Sequence, residues 1–464
     1  MINDNHCFFF SVLQPLVLVV PVIVDAALIG GETTHSALYL NKESELEPEE
    51  VELWEETRML IVDEISFAYR DLIVKVDANL KVLKQSWRTR YGGINVVFSG
   101  DFRQMEPIRA APIYAEECEP FENWTNCFIE LTGTHRSFKD DPEWGMLLRR
   151  FRNGEVTKED IEKINKRVVS SDTALPGNLR YATYYNHDRD AINAGLFEKR
   201  CRERFAKVGN TKDSLIIFSD ELQVKNSSGK YVQFPCPKKY WEEWGENDVD
   251  VTTHGSNRLD PVLKLYEGCP IMLPCNSNVK LGQANGTQAS VVHVHLKPGV
   301  EAMTVELSGG IPVAAVLASQ VSHVELRHCN DRIRPPVFCV HAKQYSFIAH
   351  TEKRKELQTK KSKCEKLHMK CLQLPILVNN ATTGHKLQGT GVDNLFVHSW
   401  SYTTNWAYVM LSRVKTYSGL FMRNALEYDP EKFAVPKALK KMLEKLALKQ
   451  PTYWTPEEYQ KKFS

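Results

Sequence analysis

The sequence predicts an α/β fold, and the stretch Met59–Gln104 carries that expectation through three observations. Met59-Leu60-Ile61-Val62 is a short apolar run that stops at Asp63-Glu64. Val96-Val97-Phe98 is a second, which stops at Ser99-Gly100-Asp101-Phe102-Arg103-Gln104. Between them, Leu72, Val76, Leu80 and Leu83 recur at helical spacing over Asp71–Gln85, which predicts a strand–helix–strand unit. Continuous apolar runs of this length predict strands buried on both faces, as in a parallel sheet. In such sheets ligands sit beyond the carboxyl ends of the strands, where Asp63, Glu64, Asp101 and Gln104 are expected to stand together.

Paired carboxylates at a strand end suit nucleotide chemistry. One can hold a hydrated magnesium ion that bridges phosphates, while the other orients or deprotonates an attacking water. Asp63-Glu64 taken alone reads more readily as a cap on the next helix. The second strand, ending in Gly100-Asp101-Phe102-Arg103-Gln104 ahead of Pro107, repeats the acidic stop and favours the chemical reading. On these residues a resemblance becomes specific. Leu60–Ser66 resembles the Walker B strand of superfamily 1 helicases, and Gly100–Gln104 is similar to their motif III as written in the PIF (petite integration frequency) and RecD-like branch.

Composition bounds the remaining readings. At 464 residues the chain can hold two or three domains with large cores. Formal net charge is only +1, so any grip on nucleic acid must come from local patches. The eleven cysteines include no Cys-x-x-Cys pair, which argues against zinc ribbons and a disulfide framework and fits a reducing compartment. His328, Cys329, Cys339 and His341 form the one Cys/His cluster, and their spacing matches no zinc pattern.

Residues 7–24 are almost wholly apolar, a length that borders on a membrane span. Ser11, Gln14, Pro15 and Pro21 interrupt the run and no Lys or Arg precedes it, so one or two buried strands are the competing reading. Ala26-Ala27 and Gly31-Glu32-Thr33-Thr34-His35-Ser36 match a PIF-like pattern in which a strand leads into Thr-Gly-x-Ala-Ala and then Gly-x-Thr-x-His-Ser. Ile23-Val24 replace its Thr-Gly, which sets the start of the resemblance near residue 26. Thr33–Ser36 either cap a helix or, as the resemblance implies, touch a DNA backbone. Lys42–Glu56 holds eight Glu against one Lys and reads as a solvated loop or short helix.

Beyond motif III, Glu130–Arg136 ends another strand-like run. The resemblance assigns Arg136 to the γ-phosphate, with Ser137 where the family often has Gln. Asp141-Pro142 opens a helix whose Trp144, Leu147, Leu148 and Phe151 are core; Gly154 ends it and Thr157-x-x-Asp160 caps the next. Tyr181–Phe197 reads as a strand, then Asn186, then a helix bearing Asn193, and the family has a similar Asn near that strand end. Residues 200–260, with Trp241 and Trp244 amid charges, carry no nameable chemistry. Leu263–Thr287 is similar to the entry into a β-barrel of these helicases, Asn285-Gly286 is a hairpin turn signal, and Val291, Val292, Val294 and Leu296 favour strands. Lys353–Lys370, with eight Lys/Arg against two Glu, is either a phosphate track or a solvated face. Thr383-Gly384-His385-Lys386-Leu387-Gln388-Gly389-Thr390 resembles the family's Thr-x-His-Lys-x-Gln-Gly-Thr, with Leu387 for its usual Ser. Asn405–Val414 resembles motif VI.

The resemblance implies two RecA-like P-loop NTPase domains, the first incomplete, with an inserted small β-rich domain. The expected boundaries are an apolar N-terminus over 1–25, domain 1 over 26–129, domain 2 over 130–262 and 373–430, the insert over 263–372 and a helical tail over 431–464. It further implies an ATP-dependent DNA helicase moving 5′ to 3′ on single-stranded DNA. ATP and Mg2+ would be held by Asp63, with Glu64 activating water. Gln104 would sense the γ-phosphate, Arg136 and Arg413 would stabilise transition-state charge, and Gln388 would complete the nucleotide set. Thr33, Thr34, His35, Thr383, His385, Lys386 and Gly389 would hold the DNA backbone. The implied setting is a monomer in nucleus or mitochondrion, serving DNA repair, recombination or telomere maintenance, without a membrane and with no metal beyond Mg2+. Against this, no Gly-x-x-x-x-Gly-Lys-Ser/Thr occurs in the 464 residues, so the expected phosphate grip is missing. The sequence therefore predicts either a helicase whose phosphate loop lies upstream of residue 1, or a catalytically inactive nucleic-acid-binding remnant, a pseudo-helicase or mobile-element copy. In both cases little ATPase activity is expected of residues 1–464 alone.

Overall fold

Parallel strands built from branched apolar residues organise the protein, as the computed structural model shows. It describes residues 16–20, 32–42, 45–107, 110–115, 119–131, 140–226, 228–233, 259–278, 281–330, 333–351, 365–401 and 403–449. These fall into two compact units, Met1–Tyr184 with Thr383–Ser464, and Tyr185–Thr382. Of the stretches singled out in the sequence, residues 7–15, 21–31, 132–139, 234–258 and 352–364 lie outside the described residues, Arg136 among them.

The first unit opens with β1 (Leu16–Val20) and β2 (Glu32–Thr33), followed by the one-turn helix α1 (Thr34–Ala37). Helix α2 (Pro48–Glu55) starts on a capping box in which Glu50 accepts the Glu47 N–H, and it brings Trp54 into the core. Next come β3 (Met59–Val62), α3 (Arg70–Leu83) and β4 (Asn95–Phe98). The four strands are parallel, in the order β2-β1-β3-β4, with Val19 paired to Val62 and Val62 to Phe98. Helix α3 turns Leu72, Ile73, Val76, Leu80 and Leu83 inward, close to the face read from the sequence. Burial of the strands differs from that reading. Leu60 and Val62 are enclosed, but Met59 and Ile61 are only partly covered, and Val97 of the edge strand β4 is 43% exposed. The side chains of alternate residues thus meet a packed face and a less covered one, so the apolar run does not require cover on both faces. Asp141 then caps α4 (Pro142–Asn153), Gly154 ends it in a left-handed conformation, and a Thr157–Asp160 capping box starts α5 (Lys158–Asn165). Strand β5 (Arg180–Thr183) closes this half.

The second unit begins with α6 (Asn186–Val208) and is otherwise mainly strand. Its strands are β6 (Ser214–Phe218), β7 (Asp220–Lys225), β8 (Tyr231–Gln233), β9 (Val262–Tyr266), β10 (Pro270–Met272) and β11 (Gln288–Leu296). They continue with β12 (Met303–Leu307), β13 (Ile311–Leu317), β14 (Val321–His328), β15 (Val337–Val340), β16 (Lys343–Thr351), β17 (Glu365–Gln373) and β18 (Leu377–Val378). Three sheets result, ordered β15-β14-β11-β10-β18, β12-β13-β6-β9 and β16-β17-β7-β8. The strands of this unit thus begin at Ser214, ahead of Leu263. Strand β6 pairs antiparallel with β9, Ser214 against Tyr266, and parallel with β13. Pairing at this sequence distance has no local signature, and the polar Ser219, with Asp220-Glu221 opening β7, obscured both β6 and β7.

The chain re-enters the first unit with β19 (Leu395–Val397), α7 (Trp406–Leu411), β20 (Leu420–Met422) and α8 (Lys437–Ala447). Strand β19 lies between β5 and β20, parallel to both, so this unit holds two parallel sheets, as a pair of RecA-like domains requires. One core gathers Trp144, Leu147, Phe151, Ile164, Val397, Trp406 and Met410 beside the β5-β19-β20 sheet, and Phe67 and Met105 reach into it from the segments after β3 and β4. The other covers the first sheet, and α8 contributes Leu439, Met442 and Leu446 to it. At about 1.5–3 kcal/mol for each large side chain buried, those three residues explain why the amphipathic tail packs as the sequence suggested.

Candidate functional site

The ends of β3 and β4 are built around one close backbone approach. The Ser99 N–H donates to Val62 C=O at 2.8 Å and the Ile65 N–H to Ser99 C=O at 2.9 Å, which lays Gly100 against the Glu64–Ile65 peptide. A Cβ at Gly100, where φ is +146°, would stand 2.8 Å from Ile65 N. Glu64 itself is left-handed, at φ 54° and ψ 45°, an unfavourable conformation for a side chain with a Cβ. Strain of this kind is concentrated at functional sites.

The Glu64 side chain is held from the motif V segment. Buried Gln388 donates through Nε2 to Glu64 Oε2 and to Ser66 Oγ, both at 3.2 Å, and its Oε1 accepts the Met105 N–H at 3.3 Å. One amide therefore ties the ends of both strands to the 383–390 segment. Burial pushes the Glu64 carboxyl above its usual range; the Gln388 hydrogen bond and the Arg413 charge oppose this, while Asp63 and Asp101 reinforce it. Asp63 is half-buried at the end of β3, its N–H bonded to Val19 C=O at 2.9 Å. Asp101 accepts from Arg152 Nε and Tyr408 OH, each at 3.3 Å, and burial followed by the Asp101 charge drives the Tyr408 hydroxyl pKa upward. Gln104 lies within reach of α7, whose left-handed cap Asn405 donates to Gln104 C=O at 2.8 Å. The Gln104 Oε1 is buried with no hydrogen-bond partner among the described residues, an acceptor of the kind that a bound group satisfies.

Arg413 is held within the segment that joins motif V to α7. Its guanidinium is buried and donates to the carbonyls of Val409 (2.9 Å), Thr390 (3.1 Å) and Leu387 (3.4 Å), and to Ser412 Oγ at 2.8 Å. It braces the motif V loop against α7. Leu387, the departure from the family pattern, is buried in the surrounding core, so an apolar residue suits its place.

The residues assigned to DNA form two clusters. At α1, the Thr33 hydroxyl caps the turn by accepting the Ser36 N–H at 3.2 Å. Thr34 is fully buried, its hydroxyl unpartnered among the described residues. His35 is half-buried, with its pKa lowered by burial and by Lys75. At the start of motif V, Thr383 is buried, His385 and Lys386 are half-buried, and Gly389 takes φ +77°. Burial also lowers the His385 pKa, and its ring lies 5.8 Å from Trp406. Gly384 lies flat against Trp406.

Sequence reasoning passed over Ser66, Arg103, Arg152, Asn405 and Tyr408. Arg103, inside the motif that was read, is buried and donates to the carbonyls of Arg152 (2.6 Å) and Phe433 (3.3 Å). Only the charge-bearing residue types in Gly100–Gln104 hinted at this. The partners come from distant segments. On the second unit, Asn193 Oδ1 accepts the Ala381 N–H at 2.8 Å and its Nδ2 donates to Val378 and Ala381 carbonyls at 3.2 Å, fixing the chain just ahead of Thr383.

The acidic ends of two neighbouring parallel strands, tied by Gln388 to the Thr383–Thr390 loop, make an arrangement suited to nucleotide chemistry. The chain is similar to the PIF1-type helicases. Residues 16–159 match the family described as PIF1-like helicase, a match that opens ten residues ahead of the boundary set from the motifs, at the start of β1. The ATP-dependent DNA helicase PIF1 of Danio rerio is 24% identical over 423 residues, covering 88% of this chain and 53% of the relative. That of Homo sapiens is 24% identical over 382 residues, covering 81% and 47%. The chain thus spans about half the length of the relatives it matches. A Bacteroides Pif1 bound to ssDNA shares the fold at TM-score 0.61 and 20% identity, covering 94% of this chain and 88% of that one. Pif1 helicase from Candida albicans does so at 0.60 and 19%, covering 95% and 91%. The motif resemblance is borne out, and the relatives are ATP-dependent DNA helicases. No helix among the described residues is long and apolar enough to cross a membrane.

Proposed function

We propose that this chain is the motor portion of an ATP-dependent DNA helicase, translocating 5′ to 3′ on single-stranded DNA. The observation that supports it best is Glu64, a left-handed, half-buried carboxyl of raised pKa beside Asp63, positioned by the Gln388 amide. A carboxyl displaced toward neutrality at a strand end suits a base that takes a proton from attacking water. Magnesium takes one or two carboxylates plus phosphate oxygens, and the half-buried Asp63 carboxylate fits that donor set. When bound, the ion neutralises phosphate charge. Gln104, with its unsatisfied Oε1, orients the water, and Gln388 reports the site's occupancy to Thr383–Thr390. Arg413 and Arg136 stabilise charge on the transferred phosphoryl group, Arg413 by releasing carbonyls it now holds. Thr33, Thr34, His35, Thr383, His385, Lys386 and Gly389 contact or shape the path of the DNA backbone. A Bacteroides relative described in complex with ADP-AlF3 and ssDNA supports this pairing of ligands. We also propose action as a monomer in DNA repair, recombination or telomere maintenance, in nucleus or mitochondrion.

A second reading, binding of nucleic acid without hydrolysis, rests on the missing Gly-x-x-x-x-Gly-Lys-Ser/Thr within these 464 residues. One assay separates the two. Single-stranded DNA is titrated with and without Mg·ATP while phosphate release is followed for wild type and Glu64→Gln. With a phosphate loop supplied by in-frame upstream sequence, the helicase reading expects DNA-stimulated release that falls by about 100-fold or more in the variant, with DNA binding retained, while residues 1–464 alone should show little release. Hydrolysis that survives Glu64→Gln removes Glu64 from the site, and DNA binding without hydrolysis even with that loop supplied selects the second reading.

A further inference from the structure

A cleft of about 320 Å3 opens to solvent on the first unit, where the Gly100–Gln104 segment, the end of α4 and the start of α7 meet. None of Asp63, Glu64, Gln388 and Arg413 lines it, so it is separate from the strand-end site. Phe151 and Phe433 supply apolar wall, their rings 5.3 Å apart. Two buried donors on this wall lack an acceptor. Arg103, only 6% exposed, sends Nε to the Arg152 carbonyl (2.6 Å) and Nη2 to those of Phe151 (3.4 Å) and Phe433 (3.3 Å). Its Nη1 has no acceptor among the described residues. Trp406, 1% exposed, has an indole Nε1–H that is likewise without one. Each such group carries a desolvation cost that a bound acceptor removes. The listed guanidinium partners being neutral carbonyls, burial lowers the Arg103 pKa and the Asp101 charge offsets this only in part.

We propose that this cleft binds a phosphate-class oxyanion, whose oxygens accept from Arg103 Nη1 and Trp406 Nε1. Lys432 also lines the cleft and brings a second positive charge, with Asp429 3.2 Å away as its counter-ion. Ser401 Oγ and Thr403 Oγ1 line it too, 3.1 Å apart. Only one of their two hydroxyl protons is used between them, so the other can turn to a ligand. The donor set favours an anion over a cation. It also favours a tetrahedral anion over a planar carboxylate. With Nε and Nη2 committed to carbonyls, the guanidinium cannot offer the two-pronged face that a carboxylate takes. Single N–H groups from separate segments suit oxygens spread in several directions. One water, at about 30 Å3, would leave most of the cleft unfilled. The same chemistry could come from free phosphate or from a phosphate of a nucleic-acid strand, and neither source requires that the chain hydrolyse ATP.

The experiment follows the melting temperature of the full chain as sodium phosphate replaces chloride at constant ionic strength. With Kd about 1 mM, about 20 mM phosphate should raise it by about 3 °C. Trp406→Phe keeps an aromatic ring but removes the N–H, and Lys432→Gln changes an exposed side chain that the fold tolerates. Each should weaken binding about tenfold, leaving about a third of the shift. Lys440→Gln, on an exposed position of α8, should keep all of it. A second arm measures binding of a labelled single-stranded oligonucleotide to the same proteins by fluorescence anisotropy. A phosphate shift lost in both cleft variants, with oligonucleotide binding unchanged, supports the cleft and identifies free phosphate as its ligand. Oligonucleotide binding weakened in both cleft variants but not in Lys440→Gln supports it and identifies a strand phosphate. A phosphate shift that is absent, or equal in wild type and both cleft variants, together with unchanged oligonucleotide binding, overturns the proposal.

Discussion

Gln388→Met removes the amide that joins Glu64, Ser66 and Met105 while keeping nearly the same side-chain volume. Three hydrogen bonds disappear, at 3.2, 3.2 and 3.3 Å, all at the long end of normal. The bond to a carboxylate contributes about 1.5 kcal/mol and the two neutral ones about 0.5–1 kcal/mol each. The change also leaves the Met105 N–H without its acceptor inside a core where Met105 is buried. The loss expected is about 3 kcal/mol, which at about 2–4 °C per kcal/mol lowers the melting temperature by about 6–12 °C. Thermal unfolding by circular dichroism measures it. A cycle with Glu64→Ala isolates the pair, and its coupling should be about 1 kcal/mol or more. A melting temperature within about 1 °C of wild type, or purely additive changes in the cycle, would refute the idea that Gln388 links the strand ends to motif V.

Two other outcomes follow from the same geometry. Because the folded state raises the Glu64 pKa, it binds a proton more tightly than the unfolded chain, and stability falls as pH rises above the ordinary value of 4.5. Glu64→Gln should therefore be more stable than wild type at neutral pH, and that advantage should shrink as denaturant titrations approach pH 4.5; a pH-independent difference contradicts the burial argument. Gly384→Ala would put a methyl carbon 2.3 Å from Trp406 Cη2 and 2.8 Å from Met410 Cε in a closed core. A loss of about 1–3 kcal/mol is expected by urea unfolding with tryptophan fluorescence, and wild-type stability would show that the contact relaxes freely.

Sequence alone determined what local chemistry encodes. The acidic stops after Val62 and Phe98, the spacing of Leu72, Val76, Leu80 and Leu83, and the caps at Asp141, Gly154 and Thr157 each act within one or two turns of chain, and all are found as read. The motif series from Gly31 to Val414 likewise carried the similarity to PIF1-type helicases, because it depends on residue order alone. Tertiary structure decided where side chains point and which distant strands pair. Gln388 meets Glu64 across 324 positions, and Arg413 turns toward the carbonyls of Leu387 and Thr390 because a buried guanidinium must satisfy its donors nearby. Strand parity sent His328 inward and brought His295, His323 and His341 into one row, since the face a residue occupies depends on register, which no spacing along the chain reveals.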